Sequence, residues 1–266
     1  MPHPDLTHVT QGIQARYRGA QPGPRETYHE GEFGTYSRHL DDPSLDSVLI
    51  RPLSKDLLPN LWKEVDGYFG EKPVRIYVDD RESDGELRAV LENSGCRRYC
   101  ELIYLTHTGA PPDIDPVPGL AIELGTPENV RDYEVTRVKS FENSEDQPDE
   151  SEVAANVVAR TSDLGEGCQL LIGRIDGEAA AIAGWYEGID RLIFHLATRV
   201  PFRHKGIARQ LLSHIIAETY AQKRRSVTIL TDPEDSPIHF YRRTGFTEEV
   251  YWQARYIYQP ATLSAH

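Results

Sequence analysis

Arg203-His204-Lys205-Gly206-Ile207-Ala208 stands between a short apolar run and an amphipathic segment, and that placement decides the reading of the chain. Upstream, Leu192, Ile193, Phe194, Leu196 and Ala197 are bounded by charge, the pattern of a buried strand. Downstream, Ile207, Leu211, Leu212, Ile215 and Ile216 recur at helical spacing, leaving Arg209, Gln210, Ser213 and Glu218 for solvent. A turn that enters a helix leaves backbone N–H groups unpaired at the positive end of the helix dipole. Gly206 lets backbone approach a ligand, Ala208 is too small to block it, and Arg203 and Lys205 add cations. Residues 203–208 therefore read as a pyrophosphate site.

Working outward, Ser226 to Thr231 reads as the next strand, and Phe240-Tyr241-Arg242-Arg243-Thr244-Gly245-Phe246 follows it. The order strand, Arg-x-x-Gly-x-Ala turn, helix, strand, then tyrosine before a Gly-Phe pair resembles the GNAT superfamily of acyl-CoA-dependent N-acyltransferases. The resemblance covers roughly residues 118–258. It implies a mixed α/β fold in which Arg203, His204, Lys205, Gly206, Ile207 and Ala208 hold the pyrophosphate of acetyl-CoA. It also implies that the pantetheine arm lies along Leu196, Ala197 and Thr198, and that Tyr241 protonates the departing thiolate.

The rest of this half reads independently. Gly119 to Leu124 is an opening strand, and Thr126-Pro127-Glu128 supplies a helix start. Cys168 to Arg174 and Ala179 to Tyr186 form a hairpin across Ile175-Asp176-Gly177-Glu178. The helix through Ile238 and Tyr241 ends at Gly245, and residues 250–258 alternate as a half-buried strand. Hairpin, strand, helix, strand, helix, strand makes a mixed sheet.

The first 45 residues are polar and rich in glycine and proline, and read as mobile or loosely packed, with Tyr17, Tyr28, Phe33 and Tyr36 as candidate anchors. Residues 46–107 repeat a compact pattern: a strand at Ser47–Ile50, a helical stripe from Leu57 to Phe69, a strand at 74–78, a helix at 84–94 and a strand from Arg97. A shift of 150 positions puts Gly95 on Gly245, Leu91 on Tyr241 and Cys96 on Phe246. The segment before Val74 contains no Arg-x-x-Gly-x-Ala turn, so 46–107 reads as a degenerate GNAT-like half, with an unrelated α/β cap as the alternative. Proline-rich residues 108–118 make a stiff linker to a catalytic domain over 119–260.

Composition narrows the function. A net charge of −13 over 266 residues excludes a generally basic nucleic-acid binder. No apolar run reaches the roughly 20 residues of a membrane span, and the first residues lack a signal-peptide pattern. Three sparse cysteines fit reduced thiols in the cytoplasm. Cys96 and Cys100 have no second ligand pair, so no metal is expected.

The reaction expected is attack of a primary amine, on a small molecule or a peptide, at the thioester carbonyl. Positioning and proton traffic then carry most of the rate. Tyr241 is the proton donor; its alternative is a packed core tyrosine. The family's usual strand glutamate falls near Leu192 here, which leaves Glu187, Asp190 and His195 as titratable candidates for the base. An ordinary imidazole pKa of about 6.5 suits that task, although a histidine in an apolar strand also fits a hydrogen-bonded core residue. Residues 141–152 hold six acids. They would steer a cationic amine, or else begin a helix. A homodimer is an allowed assembly. The alternatives are a catalytically silent acyl-CoA-binding module and a two-domain transferase using another acyl donor.

Overall fold

The computed structural model describes residues 26–39, 46–50, 55–70, 72–79, 86–164, 167–187, 191–234 and 237–260. They form two compact units that interleave along the chain: residues 1–104, 231–238 and 249–266 group in one, and 105–230 with 239–248 in the other. The linker at 108–118 is thus not where the contacts divide.

In the first unit, β1 (Glu26–Glu30) and β2 (Gly34–His39) make an antiparallel hairpin, and β2 pairs with β3 (Ser47–Ile50). Of the segment expected to be mobile, residues 26–39 are therefore built into a sheet, with Phe33 and Tyr36 buried; 1–25 and 40–45 lie outside the described residues. β3 runs parallel to β4 (Val74–Asp79), which requires a crossover, and α1 (Leu58–Phe69) supplies it. Leu58, Leu61, Val65 and Phe69 recur every three to four residues, so one stripe of α1 meets Val48, Ile76 and Val78 on the sheet. α2 (Glu86–Asn93) adds Leu87 and Leu91 to the same core. β5 (Arg97–His107) then carries the chain from the first unit into the second.

The second unit has the strand order β10-β9-β8-β7-β6, with β6 Leu120–Leu124, β7 Cys168–Ile175, β8 Glu178–Tyr186, β9 Arg191–Thr198 and β10 Val227–Thr231. β9 and β10 are parallel and the other pairs antiparallel. Leu170, Ile172 and Ile182 pack with Val130 and Tyr133 of α3 (Val130–Phe141). Alternate positions turn to the other face, where Gly173 lies beside Ile207 and Leu211 of α5 (Ile207–Ala221). α4 (Glu150–Leu164) follows α3. The helix expected from Thr126 becomes regular only at Val130, because Asn129 bonds backward: Oδ1 accepts from the Thr126 N–H at 2.7 Å and Nδ2 donates to the Leu124 carbonyl at 3.0 Å.

The internal echo holds bond for bond. After α2 the N–H of Cys96 reaches the Leu91 carbonyl at 3.0 Å, and after α6 (Pro237–Arg243) the N–H of Phe246 reaches the Tyr241 carbonyl at 3.1 Å. The Gly95 N–H bonds to the Glu92 carbonyl as that of Gly245 does to Arg242, and both glycines have φ near 90°, at 86° and 95°. Ser94 Oγ and Thr244 Oγ1 each donate to the carbonyl four residues back. The strands that follow exchange places: most of β11 (Glu248–Tyr258) belongs to the first unit, where residues 253–258 pair antiparallel with 79–74 of β4, whereas Thr106 at the end of β5 bonds Thr228 of β10 in the second.

Candidate active site

The site is made by a parting of two strands. β9 and β10 pair from Arg191–Val227 to Ile193–Ile229, after which Phe194 to Thr198 have no strand partner on that edge among the described residues. The cause is local. Gly184 of β8 pairs with His195 and Trp185 with Ile193, so Phe194 is an extra residue that bends β9. Gly184 permits this approach, since a Cβ there would stand 2.6 Å from the Tyr133 hydroxyl and 2.8 Å from the Phe194 ring. Leu196, Ala197 and Thr198 thus lie on a free strand edge able to pair with an extended ligand. Thr198 Oγ1 is buried and, among the described residues, has no hydrogen-bond partner.

A single 3₁₀ turn at Val200–Phe202 leads from this edge into Arg203–Ala208 and α5. His204 and Gly206 both have positive φ, 62° and 84°, and Gly206 caps α5 without any side-chain hydrogen bond. The first α5 bond in place is from the Gln210 N–H to the Gly206 carbonyl, so the N–H groups of Lys205, Gly206, Ile207 and Ala208 meet no acceptor among the described residues. His204, Lys205 and Gly206 are exposed, and a Cβ on Gly206 would touch only Val117 Cγ2, at 3.4 Å. This cradle fits a pyrophosphate, and the free edge fits the arm of coenzyme A. One expectation changes. Two of the three Arg203 guanidinium nitrogens are engaged within the protein: Nε donates to the Thr198 carbonyl and Nη2 to the Ser140 carbonyl, each at 2.9 Å. Lys205 Nζ lies at the turn, 5.3 Å from the centre of the Phe202 ring.

Tyr241 lies on α6, after the carboxyl end of β10, as the cradle lies after the carboxyl end of the parallel β9. Ligands bind at such strand ends where neighbouring strands part. Tyr241 is largely buried, with its ring 5.5 Å from Phe240 and 6.3 Å from Phe246.

The two expected bases are placed differently. Glu187 follows β8, beside the start of β9, where Trp185 Nε1 donates to it at 2.8 Å and it forms ion pairs with Arg191 at 3.0 Å and Arg224 at 2.7 Å. Two guanidinium groups and an indole make it a structural anion remote from the cradle. His195 is on the free half of β9, with Nδ1 3.0 Å from the Tyr133 hydroxyl. Burial, aided by Arg160 and Arg137, lowers its pKa to about 3, too weak a base for neutral pH. Both carry over poorly as proton acceptors, because the sequence shows residue type but not neighbours. Asp190 lies outside the described residues.

Most acids of the 141–152 stretch already have partners. Glu150 binds Arg131 through two bonds of 2.7 Å, Glu152 reaches Arg137, Glu145 pairs with Arg199, and Asp149 accepts from the N–H groups of Ser151 and Glu152 at the start of α4. Glu142, Asp146 and Asp149 are the acids of this stretch without an ion pair among the described residues. Arg199 reaches Glu145 of this stretch and Arg203 the Ser140 carbonyl just before it, roles that residue type alone did not signal. No cluster of three or more potential metal ligands occurs among the described residues. None of their helices is long and apolar enough to cross a membrane.

The family model for an acetyltransferase (GNAT) domain matches residues 166–248. No curated protein matches the chain. Among solved structures it is similar to a GCN5-related N-acetyltransferase from Kribbella flavida, with a TM-score of 0.69, 13% identity and 98% of each chain covered. It is similar also to one from Sphaerobacter thermophilus, with a TM-score of 0.63 and 16% identity over 97% of this chain and 86% of that one. A tandem GNAT protein from the clavulanic acid biosynthesis pathway gives 0.62 and 11% identity over 91% of this chain and 86% of that one. At such identities the likeness is one of fold, and it extends to both units. Residues 166–248 thus match the GNAT acetyltransferase domain, within a chain that has the fold of the GCN5-related N-acetyltransferases.

Proposed function

We propose that this protein transfers an acetyl group from acetyl-CoA to a primary amine on a small molecule or a peptide. The observation that carries this reading is the parting of β9 from β10 after Ile193, directly ahead of a helix entry whose N–H groups are unanswered. When bound, acetyl-CoA supplies an acyl carbon activated as a thioester. The N–H groups of Lys205, Gly206, Ile207 and Ala208, with the Lys205 charge, bind the pyrophosphate; the free edge at Leu196, Ala197 and Thr198 orients the arm. The amine attacks the acyl carbon, the C–S bond breaks, and the Tyr241 hydroxyl gives its proton to the thiolate sulfur. The ammonium formed by the attack is acidic enough to lose its proton to water, so a basic side chain is not required. The free thiols of Cys96, Cys100 and Cys168 support a cytoplasmic setting.

Calorimetric titration of the full chain with acetyl-CoA, followed by thiol release across a panel of primary amines, tests the reading. One binding site per chain and amine-dependent thiol are expected. Absence of binding at millimolar acetyl-CoA and longer acyl-CoAs overturns it. Binding without thiol release from any amine would favour a silent acyl-CoA-binding module.

A further inference from the structure

Arg199 ends β9 and opens the turn, and its side chain is nearly buried. Nε donates to Glu145 Oε2 at 3.0 Å and Nη2 donates to the same oxygen; Nη1 donates to Glu178 Oε1 at 2.7 Å and to the Ala179 carbonyl at 2.9 Å. Four residues on, Arg203 holds the Ser140 carbonyl, one of the last that α3 leaves without a helical partner, where a cation is favoured. The next residue, Phe141, is exposed, with its ring 5.7 Å from that of His195 on the free half of β9. The connection from Glu142 to Asp149 therefore borders the opening between β9 and β10; it is fastened to the turn at Glu145, and the end of α3 that leads into it is fastened at Ser140.

The fastening is directional. Arg199 uses donors on all three nitrogens inside the protein, so an anion arriving at the turn meets the Lys205–Ala208 N–H groups instead. Fixing that backbone fixes Arg199, and Arg199 fixes Glu145. The carboxylate side of the pair remains partly in water, with Glu145 36% exposed, so the link can open in the free protein and close when the turn is held. We infer that Arg199 and Glu145 are positioning residues that carry occupancy of the donor turn to the 142–149 connection, tightening one wall of the opening when coenzyme A is seated. The inference rests on the donor site proposed above.

Hydrogen–deuterium exchange on the full chain, with and without coenzyme A, reads this without an acceptor amine. In the wild type, coenzyme A should slow exchange at residues 203–209 and, by about tenfold, at 142–149, the size expected from closing one charge-assisted hydrogen bond. Glu145→Gln should keep the first effect and lose most of the second, and Glu145→Asp should restore part of it. Arg199→Lys, whose single ammonium cannot hold Glu145, Glu178 and the Ala179 carbonyl together, should behave as Glu145→Gln does. Ligand-dependent protection of 142–149 that is equal in Glu145→Gln and wild type overturns the inference, as does its absence from a wild type protected at the turn. Protection nowhere removes the donor site itself, and the link with it.

Discussion

The Tyr133 hydroxyl stands 3.0 Å from Nδ1 of His195, and the two rings stack at 6.2 Å where β9 bulges away from β10. Tyr133 is buried, which raises its pKa and keeps it a phenol, while burial keeps His195 an imidazole. Beneath them Glu134 is fully buried and accepts from Arg137 at 2.6 Å and Arg160 at 3.2 Å. The pair therefore acts as a neutral hydrogen-bonded strut on a charged base.

That strut predicts a pH dependence of stability. The folded pKa of His195, about 3, lies below its ordinary 6.5, so between those values the unfolded chain binds the extra proton. Stability should be full above pH 6.5 and fall as pH drops through this window, by up to about 1.4 kcal/mol per unit. His107, lowered by burial, has the same sign. Urea denaturation at pH 4–8 should show the slope, and His195→Gln should flatten it by close to one proton. An identical slope in the variant would refute the assignment.

Gly206 predicts the donor site. Its φ of 84° costs an L-residue about 1–2 kcal/mol, so Gly206→Val should lower the melting temperature by roughly 2–8 °C and remain folded. Its branches would stand before the unanswered N–H groups. The melting rise with acetyl-CoA, worth about 2.7 kcal/mol at a hundredfold excess over Kd, should vanish in the variant. A variant that still responds to acetyl-CoA would move the pyrophosphate elsewhere.

Tyr241→Phe removes one hydroxyl and little volume. Acetyl-CoA binding should be unchanged while kcat falls by roughly 10²-fold. Unaltered turnover would leave Tyr241 as packing between Phe240 and Phe246.

The two helix ends related by 150 positions should differ in one respect. A Cβ on Gly245 would fall 2.8 Å from the His107 ring, but on Gly95 it would meet nothing within 4 Å. Gly95→Ala should cost only the backbone term, about 1 kcal/mol, and Gly245→Ala at least about twice that. Equal losses in chemical denaturation would mean that the His107 ring moves aside freely.

What could be read beforehand followed local physics. Leu57 to Phe69, Ile207 to Ile216 and the Asp176-Gly177 turn carry periodicity or turn chemistry within a few residues, and each element formed as expected. The turn into α5 was legible because Gly206 and a helix entry are adjacent in sequence. The long-range neighbours were not. Nothing near Arg203 announces the Ser140 carbonyl, and nothing near His195 announces Tyr133 or Arg160. The polar composition of residues 26–39 hid a hairpin that buries Phe33 and Tyr36. Strand exchange was invisible for the same reason: alternation in residues 250–258 fixes a face, but not which strand will pair with it.

The placement of residues 253–258 against β4 also sets a schedule for synthesis. About 150 residues separate the end of the first unit's leading segment at Tyr104 from Gln253, so at ordinary elongation rates roughly 10–30 s pass before β4 can receive this neighbour. During that interval Val74, Ile76 and Val78 belong to a sheet with one edge open, which invites chaperone holding or pairing with a second nascent chain. Arrival of residues 253–258 is thus the event that gives β4 its second neighbour.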